Sequence, residues 1–410
     1  MRTLPAPSPL FDRWRLDPDV VYLNHGSFGA CPREVLGFQS ALRDEMEREG
    51  VRWFIERVDT LLDQSRDRLA RFLSCRSDDL VFVPNATHGV ATALASINLA
   101  AGDEILVTSH EYPGCMTNVR RAADRAGARV VTAALPFPCS GPDEITRAVL
   151  AAVSPRTRVA LLSHITAPSA MVLPVERLAP DLESRGIAVI IDGAHAAGQV
   201  RGLDLTRVGA SFYTSNCHKW LCSPKGSAFL HARADRHATL RPLCLSNFAD
   251  TPKRGRSRLH SEFDYVGTGD LTAYACVGRA IDVMASFVGS WDAVFRHNHD
   301  LVVSARAALC EALGVAPPAP AEMLGSMATI FLPPQEDADR AARLAVRPSR
   351  YHDALQDALV DRHAIQVPVW SVAGDPRRLF RVSAQLYNSP AQYRYLADAL
   401  REELAREAAL

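Results

Sequence analysis

Short apolar runs alternate along this chain with longer stretches in which apolar residues recur every three or four positions. The runs "LVFV" (80–83), "EILVTS" (104–109), "RVVTAAL" (129–135), "RVALLSH" (158–164), "IAVIID" (187–192), "SFYTSN" (211–216) and "GSAFLHA" (226–232) predict buried strands. Between them lie helical patterns such as "REVLGFQSALRDEMERE" (33–49) and "VERLAPDLESRG" (175–186). Strands alternating with helices build a mainly parallel sheet covered on both faces. After about residue 285 the rhythm changes. A long helix is predicted over 291–313, then the strands "MATIFL" (327–332), "AIQVPV" (364–369) and "LFRVSA" (379–384), and a final helix over 390–408. The pattern therefore predicts a large α/β domain over 15–285, with a mainly parallel seven-stranded sheet. A smaller C-terminal α+β domain follows over 286–410, and residues 1–14 are expected to join it. The stretch "GVAPPAPAEM" (314–323) is expected to be a linking loop.

Composition changes this picture little. A chain of 410 residues exceeds one hydrophobic core, in keeping with two domains. Its formal net charge of zero argues against a dedicated nucleic-acid or anionic-membrane surface. No segment is long and apolar enough to cross a bilayer, and "MRTLPAPSPLFDRWRLD" has no signal-peptide run. Nine scattered cysteines without a C-x-x-C pair fit reduced thiols in the cytoplasm, and no metal site is expected.

One compositional detail does matter. Of 46 basic side chains only three are lysine: Lys219, Lys225 and Lys253. Arginine stays protonated in proteins, whereas a lysine amine can lose its proton and attack a carbonyl. Lys219 follows the strand "SFYTSN" and a polar turn, at the carboxyl edge where parallel sheets bind ligands. Lys225 precedes Gly226 and the next strand, so it reads as a turn residue. Asp192 ends the apolar run "IAVIID" at the same edge, with His195 three residues on. A carboxylate there can bind a metal, take a proton, pair with a cationic ring nitrogen, or simply be a satisfied strand-end polar group. In "VFVPNATHG", residues Asn85, Thr87, His88 and Gly89 open a helix whose free N–H groups suit a phosphate, although an ordinary N-cap has the same appearance. Pyridoxal phosphate needs all three features: a phosphate cradle, a carboxylate for its ring nitrogen, and a lysine for an imine link to its aldehyde.

The strings "YLNHGSFGACP", "PNATHG", "HEYPG", "IDGAHAAGQV", "SNCHKWLCSPKG", "GTGD" and "RVSAQLYN" resemble, in this order, the class V aminotransferase superfamily of fold-type I pyridoxal-phosphate enzymes. Within it the chain is most similar to isopenicillin N epimerase-like proteins. The resemblance implies that Lys219 bonds to the cofactor, that Asp192 pairs with its ring nitrogen, and that His195 lies near its phenolic oxygen. It implies phosphate contacts from Thr87, the amide of His88, Asn216 and His218. Tyr112 falls where the family stacks a ring over the cofactor, although a buried aromatic in a strand-to-helix turn fits the local sequence as well. Thr268 matches a residue that reaches the phosphate of a neighbouring subunit, which implies a homodimer. Arg381 matches the arginine that grips the substrate carboxylate; by pattern alone it reads as a surface residue. His25 and Ser27 fall where the family lines the substrate pocket.

Two departures stand out. Ala167 occupies a place where many relatives carry a polar residue facing the cofactor. The chain has no cysteine after Cys310, which opposes a persulfide-forming desulfurase. The basic run "TPKRGRSRLH" (251–260) reads as a solvated loop, or as arginines reaching a distal substrate carboxylate. The expected activity is epimerisation at the α-carbon of an amino acid or a small molecule containing one. A carbon–sulfur β-lyase or an aminotransferase is the alternative. A catalytically silent cofactor-binding regulator and a metal hydrolase built on Asp192, His195 and His218 are the rivals from other classes.

Overall fold

In the computed structural model, which describes residues 3–335, 337–371 and 377–409, twelve strands form three sheets. They are β1 (Val21–Tyr22), β2 (Leu80–Val83), β3 (Glu104–Thr108), β4 (Arg129–Ala133), β5 (Thr157–Ser163), β6 (Ala188–Asp192), β7 (Phe212–Asn216), β8 (Ala228–Ala232), β9 (Met327–Phe331), β10 (Ile365–Gln366), β11 (Val369–Ser371) and β12 (Arg378–Ser383). The seven predicted runs of the first domain join one sheet in the order β2-β8-β7-β6-β5-β3-β4. Only β8 runs against its neighbours β2 and β7; the other six strands are mutually parallel.

The apolar runs are continuous because both faces are covered. Leu106, Leu162, Ile191 and Phe229 enter one core, while Val107, Leu161, Ile190 and Leu230 enter the core on the opposite face. Each such side chain removed from water contributes about 1.5–3 kcal/mol. The edge strand β4 is the most exposed of the seven, as a strand with an unpaired side allows.

Register brings the chemistry together. Ser163 at the end of β5 pairs with Asp192 at the end of β6, and Asp192 pairs with Thr214 of β7, two residues before that strand ends. Three adjacent carboxyl ends thus form one ledge.

The second domain holds the antiparallel sheet β11-β12-β9, backed by the helices Trp291–Leu313 and Pro390–Ala408. Val302, Ile330, Phe380, Val382 and Leu396 belong to its separate core. The predicted strand 364–369 is split in two. Pro368 has no N–H to give a ladder; before it β10 pairs in parallel with β1, and after it β11 pairs with β12. Residues 21–22, expected in the large domain, are therefore strand partners of the small one. Farther upstream, the Ser8 N–H donates to the Tyr387 carbonyl and the Ser389 hydroxyl to that of Ala6. The helix Val277–Val288 runs through the boundary expected at 285. Among the described residues no helix is long and apolar enough to cross a membrane.

Candidate active site

Asp192 is 3% exposed. Its Oδ2 accepts the Cys115 S–H at 3.2 Å and its Oδ1 accepts the Ala194 N–H at 3.0 Å. Burial raises its pKa, against the pull of these two donors and of Lys219. Among the described residues no basic side chain forms an ion pair with it, so a buried carboxylate stands without a cation.

Lys219 lies in the turn after β7. Its Nζ is 3.3 Å from His195 Nε2, and the Trp220 indole N–H donates to His195 Nδ1 at 3.4 Å. Burial, helped by the charge of Arg381 and opposed by Asp192, pulls the Lys219 pKa down to about 7. The amine is thus poised to be a free base near neutrality. Lys225 serves the backbone: its Nζ donates to the Gly29 carbonyl at 2.9 Å. Gly29 needs its φ of +69°, and a Cβ there would stand 2.1 Å from the His218 carbonyl oxygen and 2.8 Å from the Lys219 Cα. Glycine thus lets the N-terminal segment lie directly on the lysine turn.

His25 departs from its expected place in the substrate pocket. It is fully buried, with Nε2 2.9 Å from the Lys219 carbonyl oxygen and Nδ1 2.8 Å from the Tyr387 hydroxyl. A carbonyl only accepts, so Nε2 carries the proton and Nδ1 accepts from Tyr387. Burial lowers the His25 pKa to about 3. With both nitrogens engaged beneath the lysine turn, it supports Lys219 rather than facing the cleft. Ser27, two residues on, is partly exposed and touches Arg381: its Oγ donates to Asn24 Oδ1 at 2.6 Å and accepts from Arg381 Nη2 at 3.3 Å.

Arg381 is a core residue, 4% exposed, and not the surface residue its strand pattern suggests. Its Nη1 donates to the Ala167 carbonyl and its guanidinium lies over the Trp370 ring, 5.2 Å from the centroid. Its Nε is buried with no acceptor. Burial lowers its pKa to about 10. No carboxylate pairs with it among the described residues. Ala167, where a polar side chain was missing, contributes its backbone oxygen instead.

The helix Ala86–Ala95 starts at the end of β2, and a Cβ on Gly89 would stand 2.1 Å from Thr214 Oγ1, so glycine allows the helix to close on β7. Its first amides are partly taken: Asn85 Oδ1 accepts from His88 N–H and Asn216 Oδ1 from Ala86 N–H, both at 2.8 Å. The His88 amide and Asn216 were expected to contact phosphate, but here they serve the helix cap. The Thr87 hydroxyl lies beside the Cys115 thiol. His218 donates from Nδ1 to the Ser227 carbonyl at 2.8 Å, and burial lowers its pKa to about 4. Tyr112 caps the helix Pro113–Ala126 and is 47% exposed, so it is no buried aromatic. Thr268 is exposed, 3.0 Å from the Tyr265 hydroxyl.

The run 251–260, exposed at Arg254 and at four other positions, also carries basic side chains that are engaged by carboxylates. Lys253 pairs with Asp59 at 2.7 Å, Arg256 with Asp264 at 2.6 Å, and Arg258 with Glu262 at 2.8 Å. Asp192, His195 and His218 do not gather as metal ligands among the described residues. Trp220, Cys115 and Tyr387 were not foreseen, because each acts through a contact with a residue whose own position the chain reversal decides.

The site therefore offers a carboxylate without a cation on β6, an arginine without an anion on β12, and an amine that loses its proton near neutrality. It suits a ligand that brings a cationic centre, a carboxylate and an electrophilic carbonyl.

Comparison with known proteins agrees. The family description "Aminotransferase class-V" matches residues 40–347. The chain is 33% identical to isopenicillin N epimerase of Amycolatopsis lactamdurans, over 94% of this chain and 96% of that protein. It is 29% identical to a probable chloroplastic L-cysteine desulfhydrase of Arabidopsis thaliana, over 94% of this chain and 83% of that one. A solved structure of a C-DES mutant, with glycine covalently linked to its PLP cofactor, matches with a TM-score of 0.74 at 20% identity. That match covers 93% of this chain and 96% of that one, and it shows the shared fold.

Proposed function

The chain belongs to the class V aminotransferase family, and from that premise we propose that it is a pyridoxal-phosphate enzyme that inverts the α-carbon of an amino acid or an amino-acid-containing small molecule. The observation that carries this reading is the pair of buried, uncompensated charges, Asp192 and Arg381, both within electrostatic reach of the Lys219 amine. A buried charge without a partner costs several kcal/mol, and a ligand that answers both removes that cost.

The residues fit the cofactor. Asp192 would meet the ring nitrogen and keep it protonated. Lys219 would hold the aldehyde carbon, with the neutral ring of His195 beside it. Thr87 and the open end of the helix Ala86–Ala95 would take the phosphate with His218, and His88 and Asn216 would hold that helix end in place. Thr268, exposed on its loop, would complete the site of a second copy in a homodimer. Once bound, the group supplies an electron sink for negative charge developing at the substrate's α-carbon.

Arg381 would grip the substrate carboxylate with its planar fork, steadied by Ser27 and the Ala167 carbonyl. Lys219, once displaced by the substrate amine, would take the α-proton, a role suited to an amine whose pKa lies at about 7. Inversion also needs a donor on the opposite face. His25 has both ring nitrogens engaged, which leaves the exposed Tyr112.

A second reading, β-elimination from a sulfur-bearing amino acid, has the support of the Arabidopsis relative. Product analysis separates the two. Incubation with L-amino acids and S-substituted cysteines in deuterated water should give inverted product carrying deuterium at the α-carbon. Release of pyruvate and a thiol without inversion would replace the first reading by the second. A cofactor-loaded protein inert toward every substrate would favour a silent regulator.

A further inference from the structure

We propose that Trp220 is a positioning residue that fixes the tautomer of His195 and thereby keeps the Lys219 amine in its neutral, reactive form. The inference rests on the reading of Lys219 as the reactive amine and goes beyond it by naming what maintains that state.

An indole N–H donates and never accepts. Its contact with His195 Nδ1 at 3.4 Å therefore requires a lone pair on Nδ1. His195 is buried and lies near Lys219 and Arg381, which holds its pKa well below the ordinary histidine value, so the ring is neutral and has one proton to place. With Nδ1 occupied as an acceptor, that proton sits on Nε2. Nε2 is 3.3 Å from Lys219 Nζ. An Nε2–H donates well to a neutral amine, which has a lone pair. Opposite an ammonium it sets one N–H against another. The tautomer thus penalises the charged lysine directly.

Trp220 is itself held in place. It is 1% exposed, and its ring packs on His25 with centroids 4.7 Å apart. His25 donates to the Lys219 carbonyl and accepts from Tyr387. A closed circuit results: Lys219 carbonyl, His25, Trp220, His195, Lys219 amine. The other titratable groups facing the pair are Asp192 at the end of β6, Cys115 on the helix Pro113–Ala126, and Arg381 on β12. Arg381 works in the same direction as the tautomer, whereas Asp192 and Cys115 oppose it.

The test uses cofactor-free full-length protein. Pulse acetylation with acetic anhydride across pH, read at Lys219 by peptide mass spectrometry, reports how much of the amine is neutral. Wild type should titrate near pH 7. Trp220→Phe keeps the ring against His25 but lacks the N–H, so His195 is free to turn Nε2 into an acceptor for the ammonium. One hydrogen bond strengthens the amine's hold on its proton about fivefold, so from a midpoint near pH 7 labelling at pH 7 should fall about threefold. In a His195→Ala background, Trp220→Phe should add nothing. Nitrogen-15 NMR of wild-type histidines should show His195 as the Nε2–H tautomer. An unshifted titration in folded Trp220→Phe, an equal shift without His195, or an Nδ1–H tautomer each overturns the proposal. Failure of the underlying reading looks different: pyridoxal phosphate followed by borohydride would leave no adduct on Lys219, whatever the acetylation profile.

Discussion

Lys253 and Lys219 sit in regions that treat charge in opposite ways. Around Lys253 the charges answer one another. Its amine is 2.7 and 3.0 Å from the two oxygens of Asp59, Arg256 reaches both Asp63 and Asp264, and Arg66 also meets Asp264. Arg66 and Asp264 are almost wholly buried, and they are paired. Around Lys219 the side chains are of the same kinds and Asp192 and Arg381 are as deeply buried, yet neither has an ion partner among the described residues. Burial is therefore not what separates a structural charge from a functional one. The difference is whether the chain itself supplies the counter-charge. Where it does, the cluster staples the helix Val58–Phe72 to the segment 253–264, which includes the short helix Arg258–Phe263. Where it does not, the charge stays unmet within the chain, which is what the proposed function uses.

The largest effect should come from exchanging the two lysines' fates. Lys219→Ala should abolish turnover and leave no borohydride-fixed cofactor on the protein, as read by mass spectrometry. Lys253→Ala and Lys225→Ala should keep both. A covalent adduct surviving in Lys219→Ala would break the comparison at its centre.

Stability sharpens it next. Asp264→Ala removes the buried carboxylate shared by Arg66 and Arg256 and leaves them only Asp63 and Asp59 nearer the surface, and it should cost about 3–5 kcal/mol in urea unfolding. Asp192→Asn in the cofactor-free protein should be neutral or stabilising, since it removes a buried charge that no ion pair offsets and keeps an acceptor for Ala194. The same substitution should lose most turnover, because a neutral partner cannot hold the ring nitrogen protonated. If Asp192→Asn proves as destabilising as Asp264→Ala, its carboxylate is structural.

Arg381→Lys should come third. A lysine cannot copy the two parallel hydrogen bonds of a guanidinium, and a loss of about 2–3 kcal/mol corresponds to roughly a 30- to 150-fold fall in kcat/KM. Cofactor content and fold should not change, and an amine substrate without a carboxylate should be indifferent to the change. Wild-type kinetics on every amino acid would move the carboxylate clamp elsewhere.

The last test is in pH dependence. The folded-state pKa of Lys219 lies at about 7, below its ordinary 10.5. Between those values the unfolded chain keeps a proton that the folded chain has shed, so this group makes stability rise with pH across that window. Lys219→Met should flatten that rise, while Lys253→Met should leave it. An identical slope in Lys219→Met would mean that the amine is not depressed at all.

Much of this was legible in the chain. Each run from 80 to 232 became a strand of the large sheet, because continuous apolar character in four to seven residues leaves a backbone little alternative to a strand covered on both faces. Asp192 and Lys219 were readable for the same local reason: each follows directly on such a run, and a parallel sheet presents those ends together. Arg381, which pattern alone put on the surface, is buried. Periodicity describes a strand's two faces but not what its neighbour brings.

Contacts between distant segments were decided only by the tertiary structure. His25 binds residues 194 and 362 positions away, so nothing near it in the chain could show that it lies under the lysine rather than in the pocket. The splitting of 364–369 needed the arrival of β1, and the proton on His195 needed the indole of Trp220. Above all, a sequence shows which residues carry charge but not which charges remain unpaired. Pairing is a property of distance, and distance between remote residues exists only once the chain has folded.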